Sequence, residues 1–409
     1  GCYGYKKNTS PNIDAFAKES ALFTQAIAQG SCTYLSLPSL HTSTYPRTHG
    51  VYNVGYKINP LLPTLAEVLK KSGYTTAMFG TNVKRIQGLE RGFDVFKDDG
   101  DIKADKITQR VIAWLEKNRN TKFFLWIHYF EPHGPYRPPQ PYNKIFLDES
   151  QTRNIPINYN SKSGFMAIPN YIAENNITNV NFYISQYDGE IRFVDEQIGI
   201  LFKKIKELNL DSNTLFVITA DHGEAMGERN HYFGHWSIYD EIIKVPLIIK
   251  CKKIISRPKI IDHQVQMIDI APTILKSVGI VKPKTMKGNS LLPLILKNKS
   301  HFSVFAYSEV SQEDDKIEDC IRTKEWKLLH KRYTKRKLED TYELYNLILD
   351  PEEKNNLVNE RTNEFKFLNK KLNDWRKDNP LVKPIIADSI IAKLTQESKE
   401  ILKSLGYLD

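Results

Sequence analysis

Residues 214–224 read TLFVITADHGE, an unbroken apolar run that ends in charged and polar residues. A continuous run of β-branched and aromatic residues is typical of a strand that is buried on both faces. A similar run, FFLWI at 123–127, leads into HYFEPH at 128–133, and a third, PLII, occupies 246–249. The sequence therefore predicts buried strands, two of which end in side chains that can carry chemistry.

Segments with apolar residues at helical spacing separate these strands. They are 12–20, 64–71, 107–117 and 185–208, and a shorter strand is predicted at 75–79. Helices that alternate with strands indicate a mostly parallel central sheet with helices on both faces, which is an α/β fold. In such a sheet the chemistry collects on loops at the carboxyl ends of the strands. We therefore expect one α/β catalytic domain over residues 1–295.

The remainder of the chain has a different pattern. It contains short predicted strands at 322–329 and 342–347, a charged helical stretch at 351–378 and an amphipathic stretch at 389–405. These features predict a smaller C-terminal α+β subdomain with a helical tail over residues 296–409.

The composition sets limits on the class of protein. The chain has 409 residues, 41% of them hydrophobic, and is long enough to bury a large core. No apolar run approaches the ~18 residues that a membrane helix needs, and no motif for nucleic-acid binding accompanies the net charge of +10. The four cysteines form no CxxC pair, so we expect buried thiols of a reducing compartment. A cytoplasmic protein is therefore expected rather than a secreted one, unless a leader precedes Gly1.

Asp221 and His222 stand directly after the predicted strand of the opening segment. A carboxylate next to an imidazole at a strand end can bind a divalent cation, and Gly223 permits a sharp turn after them. Taken alone, the pair would also suit a helix N-cap with a chance histidine beside it. The second polar cluster, at 128–133, makes a metal-assisted hydrolase the better interpretation.

Further blocks follow one another along the chain. They read GCYGY at 1–5, TSPNID at 9–14, YPRTHGV at 45–51, PHGPY at 132–136, YDGEI at 187–191, DHGE at 221–224, GHW at 234–236, VPLI at 245–248, ELYNL at 343–347 and LGY at 405–407. In this order they resemble the blocks of the sulfatase family of the alkaline-phosphatase superfamily. The resemblance covers nearly the whole chain. It implies an alkaline-phosphatase-like fold and an ester hydrolase that depends on a divalent metal ion.

The resemblance also implies roles for particular residues. Asp221 and His222 match the family's metal ligands, and Thr33 would join them as the nucleophile. The metal is most often calcium in this family, with manganese, magnesium or zinc as alternatives. His133 and His235 match positions that contact the anionic ester group, although many sulfatases have lysine at the position of His235.

The family's nucleophile motif, C/S-x-P-x-R, is absent, so two registers compete. Counting back from Tyr45 places the nucleophile at Thr33. The register that keeps a proline starts at Ser36, but it needs a three-residue deletion and places Leu40 at the arginine position. We predict that Thr33 is the nucleophile and that Ser36, about one turn along, caps the helix.

Cys32 has neither the proline nor the arginine that the family places after its modified residue. We therefore expect no formylglycine here. Without the aldehyde hydrate, sulfate is not easily released from a covalent ester on the enzyme. This favours phosphate esters as substrates.

The family also has a strand with one or two metal-binding aspartates just ahead of the block at 1–5. We therefore expect the sheet built by this sequence to lack one strand, and its metal site to be short of ligands.

The function predicted from the sequence is the hydrolysis of sulfate or phosphate esters. Thr33 attacks the ester centre, a cation at Asp221 and His222 lowers its pKa, and His133 and His235 neutralise the anionic oxygens and assist the leaving group. The expected partner is an anionic ester, such as a sulfated or phosphorylated glycan, an aryl ester or a lipid ester. Two alternatives stay open: a phosphodiesterase or phosphoethanolamine-type transferase on a glycan or lipid, and a non-catalytic binding protein. The sequence indicates no oligomeric state.

Overall fold

The computed structural model describes residues 1–148, 150–159, 164–255, 257–297, 304–312, 316–333 and 339–386. Among these residues, no helix is both long enough and apolar enough to span a bilayer. The predicted amphipathic stretch at 389–405 and the LGY block lie outside the described residues. The division into domains at residues 1–295 and 296–409 stays a prediction.

The helices include four that the sequence predicts, at 12–20, 64–71, 107–117 and 185–208, each with ends within five residues of the predicted bounds. The described helices are α1 Pro11–Ala17, α2 Thr33–Thr42, α3 Pro46–His49, α4 Leu65–Lys71, α5 Ala104–Asn118, α6 Tyr142–Ile145, α7 Val180–Glu207, α8 Asp240–Ile243, α9 Ile270–Ser277, α10 Leu292–Lys297 and α11 Thr362–Asp378. Local hydrogen bonds explain why α4 begins where it does. The Thr64 side chain accepts a hydrogen bond from the Glu67 backbone, and the Glu67 side chain accepts one from the Thr64 backbone. Such a capping box satisfies two backbone donors at the helix start.

The strands are β1 Ala21–Ile27, β2 Tyr56–Lys57, β3 Thr75–Gly80, β4 Val95–Asp98, β5 Phe123–His128, β6 Ile157–Asn158, β7 Ile168–Pro169, β8 Phe216–Thr219, β9 Lys244–Lys250, β10 Lys259–Ile261, β11 Val265–Gln266, β12 Ala306–Gln312, β13 Lys316–Arg322, β14 Trp326–Tyr333, β15 Thr341–Asn346 and β16 Ile385–Ile386. One central sheet has the order β10-β1-β9-β8, with β11 also paired to β1, and a second has the order β4-β3-β5. Short pairs join β2 to β16 and β6 to β7.

The central α/β part is mixed rather than parallel throughout. The second sheet is parallel, and β10 and β11 run parallel to β1. Strand β9, however, is antiparallel to both of its neighbours, β1 and β8. A parallel crossover needs a connection that passes over the sheet, usually a helix. Between β8 and β9 the chain has only the one-turn helix α8 and loops, so it returns in the opposite direction.

A groove of about 1360 Å³ lies between β5 and β8 and reaches the carboxyl ends of both strands. Within the described part of the chain, β5 pairs only with β3, and β8 pairs only with β9. The sequence predicts that both strands are buried on both faces. This prediction is wrong for the structure, because every residue of the two strands borders the groove region and is partly exposed. That the sheet takes a further strand stays a prediction.

Strands β12 to β15 form an antiparallel meander, and α11 packs against it through Leu368, Leu372 and Trp375. The sequence predicts one strand over 322–329, which is wrong. Strand β13 ends at Arg322, and a turn closed by the hydrogen bond from Thr323 N to Trp326 O leads into β14. The helix predicted over 351–378 begins only at Thr362, after a stretch of turns and irregular backbone. Strand β12 was not predicted.

Buried charges join this meander to the central part of the molecule. Lys327 on β14 is fully buried, and its Nζ lies 2.9 Å from a Glu353 oxygen and 3.1 Å from an Asp240 oxygen. Arg322 contacts the other Asp240 oxygen at 2.6 Å, and Glu353 accepts a hydrogen bond from the Asp240 backbone at 2.6 Å. Because Asp240 begins α8, which leads into β9, the charges hold the segment that follows the polar end of β8.

Replacing Lys327 with methionine should lower the free energy of unfolding by about 3–5 kcal/mol. Removing Lys327 from this buried cluster leaves Glu353 without its lysine partner and Asp240 with one cation fewer, since Arg322 still pairs with Asp240. Chemical denaturation would measure the loss. The matched control is Lys324→Met, since Lys324 and its partner Asp262 are more than half exposed, and loss of such a surface pair costs about 0–1 kcal/mol. Equal stability of the two variants would contradict the role assigned to Lys327.

Candidate active site

The polar end of β8 is shaped by a tight turn. Asp221 and His222 come two and three residues after the strand ends, and the Asp221 carboxylate accepts a hydrogen bond from the His222 backbone at 3.0 Å. The next backbone amide, that of Gly223, donates to Ile242 O at 2.6 Å. A Cβ at Gly223 would lie 2.1 Å from the carbonyl oxygen of Glu241. Only glycine fits this approach, so the turn that presents Asp221 and His222 depends on it.

Helix α2 brings a hydroxyl to this pair. The helix begins at Thr33, and Thr33 Oγ1 lies 3.5 Å from His222 Nε2. The competing candidate, Ser36, is buried and donates its hydroxyl to Gly30 O at 2.9 Å. The prediction that Ser36 caps the helix is therefore wrong, because its hydroxyl bonds a carbonyl in the loop instead of a helix N–H. The structure places Thr33 at the candidate site, and its role as the nucleophile stays a prediction.

Three imidazoles form a compact cluster beside Thr33. The ring centroid of His222 is 4.5 Å from that of His235 and 6.2 Å from that of His133, and His133 and His235 are 5.2 Å apart. His133 comes from the loop after β5, and His235 comes from the loop between β8 and α8. The fold thus collects all five predicted site residues, although they span about 200 positions of sequence.

Hydrogen bonds to the backbone settle the tautomers of two of these rings. His222 Nδ1 lies 2.8 Å from Gly223 O, and His133 Nδ1 lies 2.7 Å from Gly134 O. A carbonyl can only accept, so the proton of each neutral ring is on Nδ1. Nε2 of each ring therefore carries the lone pair, which is the form that binds a cation or takes a proton.

Burial and mutual contact tune the charges of the site. Burial opposes ionisation of Asp221, but the imidazoles of His222 and His128 outweigh it and lower the pKa of Asp221 to about 2. Burial, together with His235, lowers the pKa of His133 to about 4. Burial and the neighbouring His222 also lower the pKa of His235. Near pH 7 the site therefore holds the ionised carboxylate of Asp221 and the imidazoles of His133 and His235, both of which favour the neutral form.

The structure adds two residues to which sequence reasoning gave no role. Glu224 lies with Oε1 3.3 Å from His235 Nδ1, and both side chains are buried. His128, at the end of β5, lies close enough to Asp221 to influence its pKa. The signal for Glu224 was its place in the DHGE block, directly after the candidate metal pair and Gly223.

The Asp221–His222 pair suits a divalent cation. Asp221 Oδ2 is buried without a hydrogen-bond partner among the described residues, and it lies 3.7 Å from His222 Nε2. Carboxylate and imidazole ligands accept several divalent ions. No group of three or more histidine, cysteine, aspartate or glutamate side chains poised to hold a metal occurs in the described parts of the chain. The pair would supply two ligands to such an ion, and Thr33 Oγ1 lies 3.5 Å from His222 Nε2.

Cys32 is a buried free thiol, and burial raises its pKa to about 12. It precedes α2, while Leu37 and Leu40 of that helix pack into apolar clusters. The helix thus has apolar side chains where the family's motif would place an arginine.

Solved structures of the same architecture define the fold class. This chain is similar to a protein solved in complex with its substrate D-glucosamine-2-N,6-O-disulfate, with a TM-score of 0.79 and 21% identity over 95% of this chain and 96% of that one. It is also similar to a phosphonate monoester hydrolase from Silicibacter pomeroyi, with a TM-score of 0.78 and 19% identity over 97% and 95%. The fold is therefore the alkaline-phosphatase-like α/β fold, as the sequence predicts.

The chain belongs to the sulfatase family. The family model Sulfatase matches residues 1–280, and the model N-sulphoglucosamine sulphohydrolase, C-terminal, matches residues 227–378. The family resemblance stated from the sequence is confirmed.

Curated relatives agree with this membership. An ulvan-active sulfatase of Formosa agariphila is 27% identical over 72% of this chain and 54% of its own length. An N-acetylglucosamine-6-O-sulfatase of Bacteroides thetaiotaomicron is 24% identical over 87% of this chain and 79% of its own length. The chain spans 54% and 60% of the lengths of the two ulvan-active sulfatases that it matches.

Replacing Asp221 with alanine should lower the content of divalent metal and the activity together, because it removes the carboxylate of the candidate metal site. Elemental analysis of purified protein, with calcium measured first, would check this. The control is Asp262→Ala, since Asp262 is exposed and far from the site in sequence. Unchanged metal content in the Asp221 variant would remove Asp221 from the ligand set.

Proposed function

We propose that the protein is a metal-dependent hydrolase of sulfate or phosphate esters in which Thr33 is the nucleophile. The observation that carries the proposal is the position of Thr33 Oγ1 at the start of α2, 3.5 Å from His222 Nε2. Membership of the sulfatase family supports the reaction class. The pocket offers a carboxylate, a hydroxyl and three imidazoles for this chemistry.

A divalent cation bound to Asp221 and His222 would supply positive charge that lowers the pKa of a neighbouring hydroxyl. The chain's own residues account for the other requirements. Thr33 stands at the amino end of a ten-residue helix, where the helix dipole favours negative charge on its oxygen. His133 and His235 face one another across 5.2 Å, and a ring that has taken up a proton can neutralise charge on the non-bridging oxygens of the ester.

The reaction would proceed in two displacements. Thr33 Oγ1 forms a bond to phosphorus or sulfur as the bond to the leaving oxygen breaks. One neutral imidazole takes the Thr33 proton at Nε2, and the imidazole cluster passes that proton on to the leaving alcohol, so that every ring ends neutral. Water then cleaves the ester on Thr33, and the threonine hydroxyl is restored. If an alcohol replaced water in the second displacement, the same site would act as a transferase.

Phosphate esters suit this site better than sulfate esters. A threonine has no aldehyde hydrate through which to expel a bound sulfate, whereas a phosphorylated hydroxyl can be cleaved by water. The similar solved structures include both a phosphonate monoester hydrolase and a protein whose substrate is a disulfated glucosamine. We therefore propose an anionic ester of a glycan or of a similar alcohol as the substrate class, and calcium as the first metal to test.

Thr33→Ala should lower kcat by at least ~10³-fold, because it removes the attacking oxygen. Its melting temperature should stay close to that of wild type. Ser36→Ala should do the reverse. Loss of its buried hydrogen bond to Gly30 should cost about 1 kcal/mol of stability and leave kcat within about threefold of wild type. Steady-state kinetics and thermal unfolding of the two variants would measure both effects.

The outcomes of that comparison separate three mechanisms. An inactive Ser36→Ala variant beside an active Thr33→Ala variant would show that the register is wrong. Full activity of both variants would indicate that water is the nucleophile, and it would exclude the covalent intermediate on Thr33.

Aryl phosphate monoesters or diesters should be turned over at a rate at least matching aryl sulfate, since threonine replaces the formylglycine route. Parallel assays with 4-nitrophenyl phosphate, its diester and 4-nitrophenyl sulfate, with D-glucosamine-2-N,6-O-disulfate alongside, would measure this. A strong preference for aryl sulfate would indicate that the protein is a sulfate ester hydrolase and would contradict the preference for phosphate esters. Binding of these esters without turnover of any of them would instead favour a non-catalytic binding protein.

A further inference from the structure

Two strand-like segments of the loop after β8 face each other across the candidate site. Ala225 N donates to Gly234 O at 3.0 Å, and Phe233 N donates to Ala225 O at 2.6 Å. An antiparallel bridge between Met226 and Tyr232 continues the pairing. The loop therefore folds back on itself like a hairpin, and the residue before Ala225 lies opposite the residue after Gly234.

These two residues are Glu224 and His235. Glu224 Oε1 lies 3.3 Å from His235 Nδ1, and the two side chains are 6% and 1% exposed. A carboxylate oxygen accepts a hydrogen bond, and a neutral imidazole donates one only from its protonated nitrogen. This contact therefore places the proton of His235 on Nδ1.

His235 differs from the other two imidazoles of the cluster in how it is held. The Nδ1 atoms of His133 and His222 lie against backbone carbonyls of the adjacent residues. The Nδ1 of His235 lies against a side chain that belongs to the metal-binding segment. Substitution of Glu224 therefore changes the Nδ1 partner of His235 and leaves the backbone partners of the other two rings in place.

We propose that Glu224 is the positioning residue for His235. It fixes the tautomer with the proton on Nδ1, so that Nε2 on the opposite ring edge can take up a proton and pass it to the leaving oxygen of the ester. A lysine, which many sulfatases have at this position, needs no such partner because all of its ammonium protons are equivalent. An imidazole has two distinct nitrogens and two ring orientations, so it needs a group that selects between them. The catalytic side of the inference rests on the proposed hydrolase function.

The tautomer can be read without any turnover. Histidine labelled with nitrogen-15 gives separate signals for protonated and unprotonated ring nitrogens, and His235→Asn identifies the signals of His235. In wild type, Nδ1 of His235 should be the protonated nitrogen. Glu224→Ala should convert His235 to a mixture of tautomers, while the signals of His133 and His222 stay in place. An unchanged tautomer of His235 in Glu224→Ala would overturn the proposal.

Kinetics test whether this positioning matters for the reaction. By analogy with carboxylates that orient metal-bound histidines, Glu224→Ala should lower kcat about 10- to 100-fold. KM should change much less, and Glu224→Gln, which keeps an acceptor oxygen, should recover part of the loss. Adding Glu224→Ala to His235→Ala should cause no further loss, because residues that act through one another are not additive. Additive losses would overturn the proposal.

Two further variants, Glu228→Gln and Glu224→Gln, control for general effects on the loop and for loss of folding. Glu228 lies in the same loop, and its replacement by glutamine keeps an acceptor for Met226 N. Glu228→Gln should therefore leave both the tautomer of His235 and kcat unchanged. If Glu224→Ala does not fold, the tautomer of His235 in Glu224→Gln decides the proposal. The neutral amide of this variant should weaken the preference for the proton on Nδ1. A wild type without turnover would overturn the hydrolase function, and the tautomer measurement would still decide the role of Glu224.

Discussion

The contact between Thr33 at the start of α2 and the Asp221–His222 pair at the end of β8 is the constraint on which the rest of the site depends. Thr33 Oγ1 and His222 Nε2 are 3.5 Å apart, which requires a helix start and a strand end to meet at one edge of the sheet. The turn at Gly223 makes this possible because its backbone packs directly against Glu241. Every other group of the site is arranged around this contact.

The C-terminal meander supports the contact at a distance. Asp240 is held by Arg322, Lys327 and Glu353, and α8, which Asp240 begins, supplies the carbonyl of Ile242 that accepts from Gly223 N. A line of contacts therefore runs from buried charges on β14 to the turn after Asp221. The free energy that these charges contribute to stability thus also bears on the position of the Asp221–His222 pair.

Much of the architecture could be predicted from the sequence, because apolar runs and helical spacing report which residues are buried. The polar ends of β5 and β8 were found the same way, and family motifs supplied the five site residues. The direction of β9 and the partial exposure of β5 depend on which strands pair, and hydrophobic patterns do not contain this information. The turn at Thr323 was missed because Thr323 and Trp326 are as compatible with a strand as with a turn.

Side-chain partners were the least predictable features. The role of Ser36 depended on whether its hydroxyl bonded an N–H or a carbonyl. It donates to the carbonyl of Gly30, so it does not cap the helix. Glu224 was visible in the DHGE segment, but its partner His235 lies eleven residues away across a fold of the loop. Contacts of this kind follow from tertiary structure and not from local sequence.

The central claim is that Thr33 forms a covalent bond to the ester centre, and trapping that intermediate tests it most directly. The protein would be quenched in acid during turnover of an aryl phosphate, digested, and mapped by mass spectrometry. The account predicts a phosphoryl group on Thr33 that disappears when the substrate is exhausted. A phosphoryl group on another residue, or none during a reaction with a pre-steady-state burst, would contradict it.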